Sequence, residues 1–236
     1  MNLYQAGYTR RGKQGEGAGW SIVFPSEDMS QAAKEGFSGF AGNLAELMNG
    51  NTMPKEAFGV FRYDRFVYFM NINYEASGKE AADARGVSFT HGYCFNLADY
   101  YALCEKPEQL LGVVDGTFRK EYDPSVKALP VAHKLDYTPM DYRKLMDKYG
   151  LDAESYRHLL IGATCALEGF ADALCVKAER PLGEYRQVCR EIMYLIMRGL
   201  PCHLRTKLTF FSYKGGKTGI YFSDRAEGNN YFDLDT

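Results

Sequence analysis

Pro181-Leu-Gly-Glu-Tyr-Arg-Gln-Val-Cys-Arg-Glu-Ile-Met-Tyr-Leu-Ile-Met-Arg-Gly-Leu-Pro-Cys-His-Leu-Arg-Thr-Lys-Leu-Thr-Phe-Phe-Ser-Tyr213 reads as a helix, a sharp stop and a strand. From Leu182 the apolar residues Tyr185, Cys189, Ile192 and Ile196 recur at four-three-four spacing, with Glu184, Arg186, Gln187, Arg190 and Glu191 on the other side. That pattern predicts a helix with one buried face and one wet face. Pro181 suits the entrance, where a missing N–H costs least, and Arg198 suits the negative end of the helix dipole. Gly199 is expected to close the helix in the left-handed conformation, and Pro201 to prevent its continuation. Lys207 to Tyr213 then predicts a strand rich in aromatics.

Working outward, Lys214 to Gly219 reads as a hairpin turn, Ile220 to Ser223 as the returning strand, and the residues from Asp224 as a polar, acidic tail. Upstream, Leu174 to Ala178 predicts a strand. Ala153 to Phe170 predicts a helix buried along Tyr156, Leu159, Leu160, Ala163, Leu167 and Phe170, and Asp141 to Tyr149 a shorter one. Residues Thr117 to Pro139 contain three prolines and predict a long connection. Val87 to Phe95 is strand-like, Asn96 can cap a helix from Leu97 to Cys104, and a second short turn of helix follows Pro107. Phe58 to Tyr74 is the clearest hairpin, with its turn near Tyr63-Asp64. Phe66, Tyr68, Met70, Ile72 and Tyr74 alternate with Val67, Phe69, Asn71 and Asn73. Ser26 is expected to cap a helix carrying Glu27 and Asp28 in its first turn and Phe37, Phe40, Leu44, Leu47 and Met48 on its apolar side. Leu3 to Thr9 and Trp20 to Phe24 predict two strands around a glycine-rich loop with Arg10, Arg11 and Lys13. No repeat or linker breaks the chain. The expected fold is a single α+β domain over residues 1–236, with mixed or antiparallel aromatic-rich sheets and packed helices.

Composition narrows the function. The chain has 236 residues, enough for a substantial core, and a formal charge of -2, which argues against a broad nucleic-acid footprint but leaves a local basic groove open. The 18 tyrosines and 15 phenylalanines fit aromatic strands. Met1-Asn-Leu-Tyr does not resemble a signal peptide, and no apolar run approaches the length of a membrane span, so a cytoplasmic protein is expected. The six cysteines form no C-x-x-C pair and are expected to be reduced and mostly buried.

The catalytic motifs fail one by one. The glycine-rich loop leads into a strand, without the helix N-terminus that phosphate loops use. Gly-Gly-Lys-Thr at 215–218 lacks the earlier glycine of a nucleotide loop, Phe211 standing there instead. His91 and Cys94 lie three apart on a strand, hence on opposite faces, which is wrong for a Cys–His dyad. Histidine and cysteine spacing offers no zinc site, so neither a metal nor another cofactor is expected. Two binding features stay open. The aromatic hairpin could stack bases on Phe66 while Arg62 and Arg65 meet phosphates, provided its rings face solvent. Arg205 could pin the helix-to-strand connection or be presented to a partner.

Several segments together resemble one family. They are Leu3-Tyr-Gln-Ala-Gly-Tyr8 with its glycine-rich turn and Gly19-Trp20, Phe89-Thr-His-Gly-Tyr93, and Leu200-Pro201, Leu204-Arg205 and Lys207 to Tyr213 in that order. The chain resembles the N-terminal domain of bacterial GTPase-associated proteins. The resemblance implies an α+β module at the front of a larger protein, encoded with GTPases in conflict systems that include antiviral defence. It implies a regulatory, partner-binding role without a catalytic centre. The partner would be a GTPase or another protein of the same system, met by residues such as His91, Arg205, Arg10, Arg11 and Lys13.

Overall fold

Strands apolar on both faces need cover on both sides, and the chain supplies it in three layers. The structure, a computed structural model, describes residues 1–11, 19–47, 56–75, 87–114, 118–133, 139–179, 184–213 and 219–235. Nine strands form one sheet: β1 (Tyr4–Arg11), β2 (Gly19–Val23), β3 (Glu56–Tyr63), β4 (Phe66–Glu75), β5 (Val87–Asn96), β6 (Leu174–Lys177), β7 (Phe210–Phe211), β8 (Ile220–Ser223) and β9 (Tyr231–Asp233). Their order is β2-β1-β5-β4-β3-β7-β8-β6-β9. Pairing is antiparallel from β2 to β7 and parallel from β7 to β9. The result is a mixed, aromatic-rich α+β fold, as the sequence predicts.

Helix α1 (Gln31–Leu47) covers one face, its Ala33, Phe37 and Ala41 packing among Tyr68, Met70, Ile72 and Cys94. The other face carries α2 (Leu97–Cys104), α3 (Pro107–Val114), α4 (Tyr142–Lys148), α5 (Ala153–Glu168), α6 (Tyr185–Gly199) and the short α7 (Cys202–Arg205). At the centre of that layer, α6 buries Cys189, Ile192 and Ile196 of the predicted stripe, with Val188 beside them. It also buries Met193, Tyr194, Leu195 and Met197, so its second half is apolar all round. Glu191, expected on the wet face, is buried too. Burial alone would raise its pKa, but Lys148 (2.6 Å), Tyr149 (2.5 Å) and Gln187 (3.0 Å) donate to it and hold the carboxyl below its ordinary value.

Several boundaries differ from expectation for identifiable reasons. Ser26 does not cap α1. Its hydroxyl accepts the Gln5 N–H at 2.9 Å, and Ser30 caps the helix instead, through the Ala33 N–H. Gly199 is not left-handed; Gly169, at the end of α5, is (φ 77°). A Cβ at Gly199 would lie 2.5 Å from the Leu160 side chain, so close approach of α5 is what glycine permits there. Phe170 lies beyond α5 and is 82% exposed rather than buried. The strand expected over Lys207 to Tyr213 is shortened to β7, with the short α7 preceding it, and β7 and β8 run parallel rather than as a hairpin. The polar tail supplies the edge strand β9. Pro181 and the segment Lys214 to Thr218 lie outside the described residues.

The close approach least able to yield is at Gly92 on β5. A Cβ there would sit 2.7 Å from the Phe69 carbonyl oxygen and 2.9 Å from the Phe37 ring. Backbone cannot yield as a side-chain tip can, so Gly92→Ala is expected to cost about 1–3 kcal/mol. Thermal melting would then fall by roughly 2–4 °C per kcal/mol for a chain of this size. An unchanged melting temperature would contradict this packing.

Candidate functional site

The predicted site residues do not converge. His91 stands on β5 between Gly7 of β1 and Asn71 of β4, and only 1% of it is exposed. Its Nδ1 accepts the Arg119 N–H at 3.2 Å, which places the ring proton on Nε2. Its ring meets Tyr93 and Phe118 edge-on. Burial first, then the neighbouring Arg119 charge, pushes its pKa down to about 4. Among the described residues, His91 Nε2 and both side-chain polar atoms of Asn71 have no hydrogen-bond partner. The segment holding this histidine down is anchored by the Asn73 amide on the Arg119 carbonyl (3.4 Å) and by Phe24, whose ring meets Phe89, Tyr122 and Arg119. The expectation that His91 touches a partner is therefore corrected: it is an interior residue. Cys94 faces α1 on the opposite side of the sheet, its thiol pushed up to about 12 by burial, so no Cys–His dyad exists.

Arg205 pins the connection. Its Nε donates to the Leu200 carbonyl (2.9 Å) and a terminal nitrogen to the Cys104 carbonyl (2.8 Å), tying the end of α6 to the end of α2. The base-stacking reading of the hairpin loses its platform, because Phe66 is 7% exposed and Phe58, Phe61, Tyr68 and Phe69 are buried with it. Arg62 donates to the Thr206 carbonyl and the Tyr101 hydroxyl, and Arg65 lies over the Phe66 ring. Arg10 and Arg11 are backbone partners of Trp20 and Gly19 at the far end of β1 and β2; Lys13 lies outside the described residues. All six cysteines are free, four of them buried. Among the described residues no helix is long and apolar enough to cross a membrane, and no three His, Cys, Asp or Glu side chains converge as a metal site.

What the sequence reading missed is an open groove of about 750 Å³ between α1 and the β3–β4 turn. Glu35, Gly36, Gly39 and Phe40 come from one side of the helix, Tyr63 and Asp64 from the turn. Tyr68 fills the space where a Gly36 side chain would go, whereas nothing lies within 4 Å of a Cβ at Gly39, so the helix is open at Gly39. Phe40 stacks on Phe61 at 4.9 Å and meets Tyr63 edge-on at 6.2 Å, leaving Tyr63 60% exposed. Asp64 holds the turn at φ 53°, a conformation Asp tolerates better than most residues. The available signal was Gly36-x-x-Gly39-Phe40, small residues one helical turn apart beside an aromatic.

The buried histidine makes a pH prediction. Its folded pKa of about 4 lies below the unfolded value near 6.5, so the unfolded chain takes the proton first. Stability is full above about pH 6.5 and falls by about 3 kcal/mol as pH drops towards 4. Denaturant titrations across that window should show this slope in the native chain and not in His91→Gln; parallel curves would refute it.

Compared with known proteins, the chain matches no family model, no curated protein and no solved structure.

Proposed function

We propose that the chain is a non-enzymatic, partner-binding regulatory module of a bacterial GTPase-associated conflict system, working in the cytoplasm at the front of a larger protein. The observation that carries the partner-binding part is the open groove with Tyr63 on its rim. A large aromatic held at the surface by an edge-on neighbour and left largely exposed is the residue type that dominates binding energy at interfaces. The ordered sequence resemblance supplies the system.

The test is affinity purification of the tagged chain from native-host extract, with Tyr63→Ala purified in parallel. Recovery of a GTPase or another protein of the same gene neighbourhood is expected, falling ten-fold or more with the variant, since loss of an aromatic anchor typically removes about 2 kcal/mol or more. Tyr63 is exposed, so the variant should keep the native melting temperature. Recovery of nuclease-sensitive nucleic acid in place of a protein would overturn the proposal.

A further inference from the structure

Tyr63 is the most exposed tyrosine among the described residues, at 60%. Arg62 lies over Tyr101 at 5.9 Å, and Arg198 and Arg143 lie over Tyr142 at 5.1 and 5.9 Å. Arginine also covers more sheltered rings, Arg186 over Phe118 and Arg119 over Phe24. Tyr63 has no such cation among the described residues. The two arginines nearest it in sequence are committed elsewhere, Arg62 to Tyr101 and the Thr206 carbonyl, Arg65 to the Phe66 ring.

The groove beside that ring is acidic. Glu35 and Asp64 are its charged lining residues, and no lysine or arginine lines it. Glu35 accepts one bond from Gln31 through Oε1, so its other oxygen keeps its full accepting capacity. An anion is repelled by two carboxylates, whereas a cation gains both of them and a π face at once. Gly39 leaves room for a long, thin side chain, since nothing lies within 4 Å of where its Cβ would be.

We propose that this groove captures an arginine side chain presented by the protein partner, its guanidinium stacked on Tyr63 and directed at the carboxylates of Glu35 and Asp64. Arginine fits better than lysine because its planar fork can stack and donate to carboxylates together, which a point ammonium cannot. The inference rests on the partner-binding reading above and names the chemistry that site would recognise.

An acetylated oligo-arginine amide and its neutral citrulline counterpart, titrated into the isotope-labelled full chain and followed by amide NMR, decide it. The arginine peptide should shift the Gly36, Gly39, Tyr63 and Asp64 amides saturably, more weakly as salt rises. Its affinity should fall ten-fold or more in the double variant Glu35→Gln, Asp64→Asn, and the citrulline peptide should leave these amides unmoved. Equal binding of both peptides, shifts at another surface, no binding, or full affinity in the double variant would each overturn the inference. If it falls while Tyr63→Ala still abolishes recovery of the partner, the partner-binding reading stands alone. If the arginine peptide binds as expected but partner recovery is indifferent to Tyr63, that reading falls.

Discussion

Phe69 on β4 packs against Phe95 at 5.5 Å and Tyr100 at 6.5 Å on the helix-rich side of the sheet, while its neighbour Met70 faces α1 on the other. This double burial of consecutive residues is the constraint on which the remaining architecture depends. Each buried aromatic or long aliphatic side chain contributes roughly 1.5–3 kcal/mol, but only if both layers close over the sheet. The need for close closure explains the glycine on β5, where Phe37 presses in, and the apolar second half of α6, which faces the sheet and has other helices beside it.

Polar groups inside such a sandwich must be paired or kept neutral. Glu191 is paired, with three donors between α4 and α6. His91 is kept neutral, and the backbone N–H laid over it by Arg119 selects the tautomer. Neither is a surface group, and both tie an irregular or short segment to the regular core. The surface chemistry is arranged by different means. Arginine covers Tyr101 and Tyr142, while Tyr63 stands on the groove rim with no cation over it among the described residues.

Much of the fold was legible because it rests on local patterns. Asn96 caps α2 and Asp141 caps α4 through their side chains, as short polar residues before apolar runs do. The Phe58–Tyr74 alternation placed the hairpin and its turn. What could not be read depends on distant partners. Ser26 has the chemistry of a cap, yet β1 claims its hydroxyl. Gly199 has the chemistry of a helix stop, yet the approach of Leu160 explains it. The direction of β8 relative to β7 is also a tertiary fact, since a strand as short as the two-residue β7 needs little chain to return to the same end. The groove was illegible for the same reason: Tyr63 and Gly36 become neighbours only when α1 lies across the hairpin, whereas the catalytic alternatives failed on spacing alone.

The joint between the antiparallel and parallel parts of the sheet has a consequence for the order of assembly. β3 pairs with β4 beside it in sequence, but Val60 meets Phe210 on its other edge. During synthesis the antiparallel strands β1 to β5 can zip together early, while that edge, with Phe58 and Phe61 on its two faces, stays unpaired until β7 emerges. An aromatic edge left open for so long is a template for pairing with another chain. The burden on the nascent protein thus falls on one edge of one strand, and the chain closes it with only two residues.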